Sequence, residues 1–293
     1  MFSHCCRFLV PLACLLGLLI SPARAEQALE ARPVVSVPEI DGLGNDPAWE
    51  HAMPVITHDV VADIDIELRA VYSGDQVYIM VRYPDADESR YHRSWFWDAE
   101  QMKYTTGGDR EDALVLKWQI AGDGHSLSIY SDHPYHADIW YWKACRTDPV
   151  GFADDKFQIL ESVPSSRSQE VSSVGGQTMY LKRMGDEGTS SYATEIPGNH
   201  EGDRIPRFTI TPPTGNRADI RARGCWADGW WVIEFSRALR TGYKNDVELG
   251  VGERHFFGVS RYEIAARPED PRSEVPLFGS GDVGERLYLN ILK

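Results

Sequence analysis

The stretch that most narrows the fold is a pair of strands written in period two. Ile64, Ile66, Leu68, Ala70 and Tyr72 alternate with Asp65, Glu67, Arg69 and Val71, the pattern of a strand with one face buried. Ser73-Gly74-Asp75 then supplies a tight turn, and Val77-Tyr78-Ile79-Met80-Val81-Arg82-Tyr83 returns as a second strand. The pattern recurs downstream, where Ala218 to Trp226 and Trp230 to Phe235 flank Ala227-Asp228-Gly229, another hairpin signal. Ala113 to Ile120, His255 to Ser260 and Leu287 to Leu292 read as further strands. No amphipathic helical period is sustained anywhere, and no solenoid repeat is present. The expectation is an all-β chain, an antiparallel β-sandwich with long loops, one of them running from Asp85 through Trp95-Phe96-Trp97. Residues 161–203, rich in Ser, Gly, Glu and Thr, are expected to be an irregular excursion.

Residues 1–25 read as a secretion signal: Arg7 ahead of the apolar run Phe8 to Ile20, then Ala23-Arg24-Ala25 as a cleavage site. The apolar run is short for a bilayer span, and no other stretch reaches that length, so residues 26–293 are expected as one exported domain, periplasmic or secreted, without an integral membrane segment. The formal net charge of −14 argues against nucleic acid as a partner. Of five cysteines, Cys5, Cys6 and Cys14 lie in the signal. Cys145 and Cys225 remain, and in an oxidising compartment a disulfide between them is the default expectation.

The chemistry concentrates between Asp138 and Asp155. Trp140 and Trp142, two apart, share one face of a strand, while Tyr141 and Lys143 take the other. Exposed, the two indoles would make a wall for a planar or cyclic ligand; buried, they would be the core of an ordinary sandwich. Lys117 interrupts the apolar run Ala113 to Ile120, so its amine points either to a wet face or to a ligand. Asp154 and Asp155 are adjacent and would face opposite ways in a strand, suiting a turn cap or a structural calcium; Asp109, Glu111 and Asp112 form a second acidic group. No G-x-S-x-G, H-E-x-x-H or P-loop is present, and no enzyme is expected.

Several segments together resemble a known family. They are Ile40-Asp41-Gly42 with Asp46-Pro47-Ala48-Trp49, the Val77 to Tyr83 strand, Glu111 to Trp118, Trp140 to Gly151, Gly202 to Pro206, and Arg217 to Gly242. The chain resembles the haem-binding domain shared by the γ subunit of ethylbenzene dehydrogenase and certain c-552-type cytochromes, a sandwich related to carbohydrate-binding modules. The resemblance implies a haem used for electron transfer and a redox-enzyme or cytochrome partner. Without a C-x-x-C-H the haem would be held non-covalently, as haem b. Lys117 stands where many members carry Met, and is expected as one axial donor; His133, just ahead of the aromatic stretch, is expected as the other, with His136 and His125 as competitors. Trp140, Trp142 and Lys143 would line the haem. The alternative is a haem-free sandwich that binds a carbohydrate or another small ligand on the tryptophan wall.

Overall fold

The computed structural model describes residues 26–59, 62–262 and 286–293; the expected signal lies outside them. The strands are β1 (Glu26–Pro33), β2 (Val55–Asp59), β3 (Ile64–Ser73), β4 (Gln76–Pro84), β5 (Trp95–Asp98), β6 (Lys103–Thr106), β7 (Ala113–Gly122), β8 (Tyr135–Lys143) and β9 (Asp154–Glu161). They continue as β10 (Gln169–Ser172), β11 (Thr178–Gly185), β12 (Tyr192–Thr194), β13 (Arg204–Ile205), β14 (Phe208–Ile210), β15 (Arg221–Ala227), β16 (Trp230–Ala238), β17 (Arg254–Tyr262) and β18 (Arg286–Ile291). Among the described residues, helical structure is confined to short 3-10 turns, and no helix is long and apolar enough to cross a membrane.

The two hairpins form where period two and turn chemistry place them. β3 and β4 pair from Glu67 opposite Arg82 to Ser73 opposite Gln76, closed by Gly74-Asp75. β15 and β16 close through Asp228 and Gly229, whose φ angles of 51° and 80° lie in the left-handed backbone region, so that the two-residue turn matches the right-handed twist of the strands.

One 13-stranded sheet runs in the order β10-β11-β9-β8-β7-β17-β18-β1-β3-β4-β16-β15, with β2 added on β3. It folds over on itself into two layers, because the face bearing Leu114, Leu116, Trp118, Trp140 and Trp142 packs in one cluster with Ile79, Val81, Trp231, Ile233 and Phe235 from β4 and β16. The sandwich is antiparallel except at β1, which runs parallel to both β18 and β3. A second apolar cluster, built on Val115, Ile139, Leu127, Ile129, Leu160 and Leu181, covers the outer face of the β7–β8–β9 layer.

Two expectations are corrected. Residues 161–203 are not structureless: β10 and β11 form a hairpin that extends the main sheet at β9, with Met179 and Leu181 buried, and β12 pairs with β14. Trp95 to Asp98 is a strand rather than loop, sandwiched between β6 and β13 in a small separate sheet. The apolar alternation in both is short and sparse, so their order comes from the strands they pair with, β9 beside the β10–β11 hairpin and β6 and β13 beside β5.

Candidate functional site

β7 and β8 carry most of the expected site residues, and their alternation divides those residues between two faces. On the inner face Trp118 stacks on Phe257 at 4.8 Å and meets Trp140 at 5.0 Å, while Trp142 meets Trp231 edge-on at 4.9 Å. Trp140 and Trp142 are fully buried. Three indole N–H groups are satisfied by buried carboxylates: Trp140 donates to Asp138 Oδ2 at 3.1 Å, Trp142 to Asp148 Oδ1 at 2.9 Å and Trp231 to Asp112 Oδ2 at 3.1 Å. Asp138 is paired across the layers with Arg237 at 2.5 Å, both at 0% side-chain exposure. The tryptophan wall is therefore the core of the sandwich and not a ligand surface. Sequence spacing put both indoles on one face; only the packing of the second layer decides that this face is covered.

Lys117 lies on the other face, at 0% exposure, opposite Ile139 on β8 and Gly258 on β17. Its Nζ donates to the Leu127 carbonyl at 2.6 Å and sits 5.7 Å from the Tyr135 ring. Leu127 and Ile129 belong to the segment that leaves β7 and returns to β8, and they roof this part of the sheet. Lys143 is on the same outer face, farther along β8, where Nζ meets Asp154 Oδ2 at 2.5 Å and the Tyr192 hydroxyl at 3.0 Å. Burial works to raise the Asp154 carboxyl, but the Lys143 ammonium, with Lys156 beside it, overcomes that and holds it at about 2. Beside this pair Arg146 binds Glu111 and lies 4.9 Å over the Tyr192 ring. His92, close to Glu111, stays neutral because burial and then the Arg146 charge depress it to about 2. Lys143 is thus the anchor of a sealed ionic cluster.

His133 is on the roof segment's wet side, 45% exposed, with Nδ1 2.7 Å from Asp123 Oδ2 and its ring stacked on His125 at 4.4 Å. His136 points outward toward Glu161 at 3.6 Å. The five residues expected around one haem are therefore not brought together: Lys117 and Lys143 share the outer face, Trp140 and Trp142 occupy the core, and His133 associates with Asp123 and His125. Of the five, Lys117 and Lys143 carry buried amines, Lys117 beside apolar side chains of the roof and Lys143 within the ionic cluster.

Cys145 and Cys225 are free thiols, so the expected disulfide is not formed. Gly224 and Ala222 on β15 face the core and Cys225 alternates away from it, whereas Cys145 turns to the Glu111 side, its amide donating to Glu111 Oε2 at 2.7 Å. Burial and then the Glu111 charge push the Cys145 thiol up to about 12, far from a reactive thiolate.

Residues 47–266 match the family model described as ethylbenzene dehydrogenase. The chain belongs to the ethylbenzene dehydrogenase family. In this ethylbenzene dehydrogenase family member the matched segment contains β7, β8 and the outer-face residues Lys117 and Lys143. No curated relative matches the sequence. Among solved structures, a carbohydrate-binding module of family 9 from Caldicellulosiruptor kristjanssonii in complex with glucose is 10% identical at a TM-score of 0.41, covering 91% of this chain and 96% of its own. The same module in complex with cellotriose is 9% identical at a TM-score of 0.38, covering 90% and 94%.

Proposed function

We propose that this chain is an exported, non-catalytic protein that holds haem b without covalent attachment on the outer face of β7, and passes electrons to a redox-enzyme or cytochrome partner. The observation that supports the reading is Lys117: a lysine at 0% exposure, inside the family-matched segment, on a face otherwise built from Val115, Ile139, Leu127 and Ile129. Lysine is almost never fully buried unless it has a partner, and a haem iron would be one for its amine nitrogen. When bound, haem would supply one-electron chemistry at its iron. The chain's own part is to present the amine, with the Leu127 carbonyl orienting it at 2.6 Å, and to exclude water with the roof segment. His133, the other residue expected to hold the haem, pairs with Asp123 on the roof's outer side, away from Lys117.

The test is reconstitution of the mature protein with haemin, followed by absorbance and a pyridine haemochrome assay. A stoichiometric Soret complex is expected. Lys117→Met, which keeps an apolar stem and a soft donor, should retain haem with a shifted spectrum, and Lys117→Ala should lose or weaken it. Absence of a Soret complex, or a Lys117→Ala spectrum identical to the parent, overturns the reading.

The binding-module alternative finds an aromatic cleft elsewhere than at Trp140 and Trp142. A cleft of about 410 Å³ is lined by Trp95, Glu195, Glu201, Ile205 and Phe208, half-buried rings beside carboxylates, with the Arg207 guanidinium 4.5 Å over Trp95. Sugar-dependent quenching of tryptophan fluorescence, abolished by Trp95→Ala, would favour it.

A further inference from the structure

Asp154 and Asp155 leave β9 in opposite directions. Asp154 goes to Lys143 on the outer face, whereas Asp155, opposite Trp140 in the β8–β9 ladder, points to the inner side and meets other acids. One carboxylate oxygen from each of Asp155, Asp186 and Asp246 lies within 4.8 Å of the others, and all three side chains are buried. Asp155 is fully buried and accepts no hydrogen bond from a neighbouring N–H or hydroxyl; the group its carboxyl meets is the Asp186 carboxyl, close enough to share a proton in the absence of a cation. Two further buried oxygens nearby are also unmatched, Oδ2 of Asp186 and Oδ1 of Asn216. Asn216 is 1% exposed and borders the cluster with its amide nitrogen donating to Asp246 Oδ1 at 3.1 Å, so that turning the amide over would present its unmatched oxygen to a cation there. The remaining contacts fix the acids without neutralising them: Asp246 Oδ2 accepts from Thr241 at 2.6 Å, Asp186 Oδ1 accepts from Asn245, and the Asp186 amide bonds to the Asp155 carbonyl at 3.2 Å.

The charge is not balanced by neighbouring cations. Arg237 is committed to Asp138, and the Arg217 guanidinium reaches the backbone carbonyl of Asp186 and, at 3.8 Å, Asp154. Three close carboxylates in a dry site repel one another and lose their hydration, which is tolerated when a cation binds them or when they take up protons. The donors are all oxygen, with no imidazole or thiolate, which selects a hard cation. Calcium accepts six to eight oxygens in irregular geometry, whereas magnesium needs a near-ideal octahedron and keeps its water, which a buried site has no room to supply.

We propose that Asp155, Asp186, Asp246 and the side-chain oxygen of Asn216 form a buried calcium site. The ligands come from four separate segments: the start of β9, the residue after β11, the 3-10 turn at Gly215–Ala218 and the segment after β16. The ion would therefore fasten the β10–β11 hairpin, whose composition alone does not predict order, to the body of the sandwich. This is a structural role independent of haem.

The experiment uses the mature chain, stripped with EDTA and desalted, then titrated with calcium by calorimetry and with terbium by luminescence. One calcium per chain is expected, with a melting temperature several degrees higher in calcium than in EDTA and little response to equal magnesium. Trypsin should cut within residues 161–203 faster in EDTA. Asp155→Asn and Asp246→Asn should each weaken calcium binding about tenfold or more, and Asn216→Ala, which leaves every carboxylate in place, should weaken it less. If the stripped protein takes up no calcium at millimolar concentration and melts identically in EDTA, the site does not exist. If Asp155→Asn raises the melting temperature equally with and without calcium, the acids are a proton-sharing cluster and the proposal fails. Should the aspartate variants not fold, the parent and Asn216→Ala titrations decide the matter.

Discussion

Gly224→Ala is a single-methyl test of whether the tryptophan pair is core or ligand surface. A Cβ at this position would lie 2.4 Å from Trp142 Cζ2, 2.9 Å from Cε2 and 3.1 Å from Cη2, well inside van der Waals contact. The indole has little freedom to withdraw. Its N–H is bound to Asp148 Oδ1, which also accepts the Gly224 amide at 2.7 Å, and Trp231 closes its edge at 4.9 Å. Overpacking of a dense core costs about 1–3 kcal/mol. Breaking the Trp142–Asp148 bond and leaving a buried polar group unmatched adds about 1–3 kcal/mol. A loss of roughly 2–6 kcal/mol is therefore expected, which at about 2–4 °C per kcal/mol for a chain of this size is on the order of 4–24 °C in melting temperature. Urea unfolding followed by circular dichroism and tryptophan fluorescence measures it. A variant within about 0.5 kcal/mol of the parent would refute the reasoning, because it would mean the indole can swing away, as a solvent-facing wall could.

The remaining predictions concern titration and the thiols. Burial raises the Asp112 carboxyl to about 8 against an ordinary value of 3.8, despite hydrogen bonds from the Ser89 amide and the Trp231 indole. A raised carboxyl stabilises the fold fully below pH 4 and loses that contribution as pH climbs through 8, so Asp112→Asn should flatten the stability-versus-pH curve between pH 4 and about 8. Asp186, Asp138 and Asp219 are raised into the same interval and keep some slope, so a variant whose curve falls as steeply as the parent's would contradict this. Asp154 behaves oppositely: its carboxyl is depressed to about 2, so the Lys143 pairing is fully present above pH 4 and is lost as pH falls toward 2. Lys143→Met should remove that acid-side slope in urea titrations. Both Cys145 and Cys225 should be alkylated when the mature protein is unfolded without reductant, and intact mass showing neither modified would restore the disulfide.

What the sequence makes legible is local. The β3–β4 and β15–β16 hairpins follow from alternation on each side of Gly74-Asp75 and Asp228-Gly229, and neither needs a distant partner to be recognised. The same alternation correctly pairs Trp140 with Trp142 and sets Lys143 apart from them. It says nothing about which face a second layer covers, because that depends on Trp231 and Phe235 arriving from β16, nearly a hundred positions later in the chain. The acid cluster is hidden for the same reason. Asp155, Asp186 and Asp246 have no common spacing, and the adjacent pair Asp154-Asp155 is the one mark they leave. That mark carries more than its acidity suggests. Two neighbouring carboxylates on a strand must face opposite sides of the sheet, so one site could not have used both. Lys143 neutralises one from the outer face, and the other is left on the inner side with a charge that the described cations do not cover. The residue that departs from simple strand patterning at Lys117, and the residue with unmatched oxygens at Asp155, are thus two of the positions at which burial works against charge. Both lie on the layer that the family match spans, and each is the place where a bound metal would relieve the conflict.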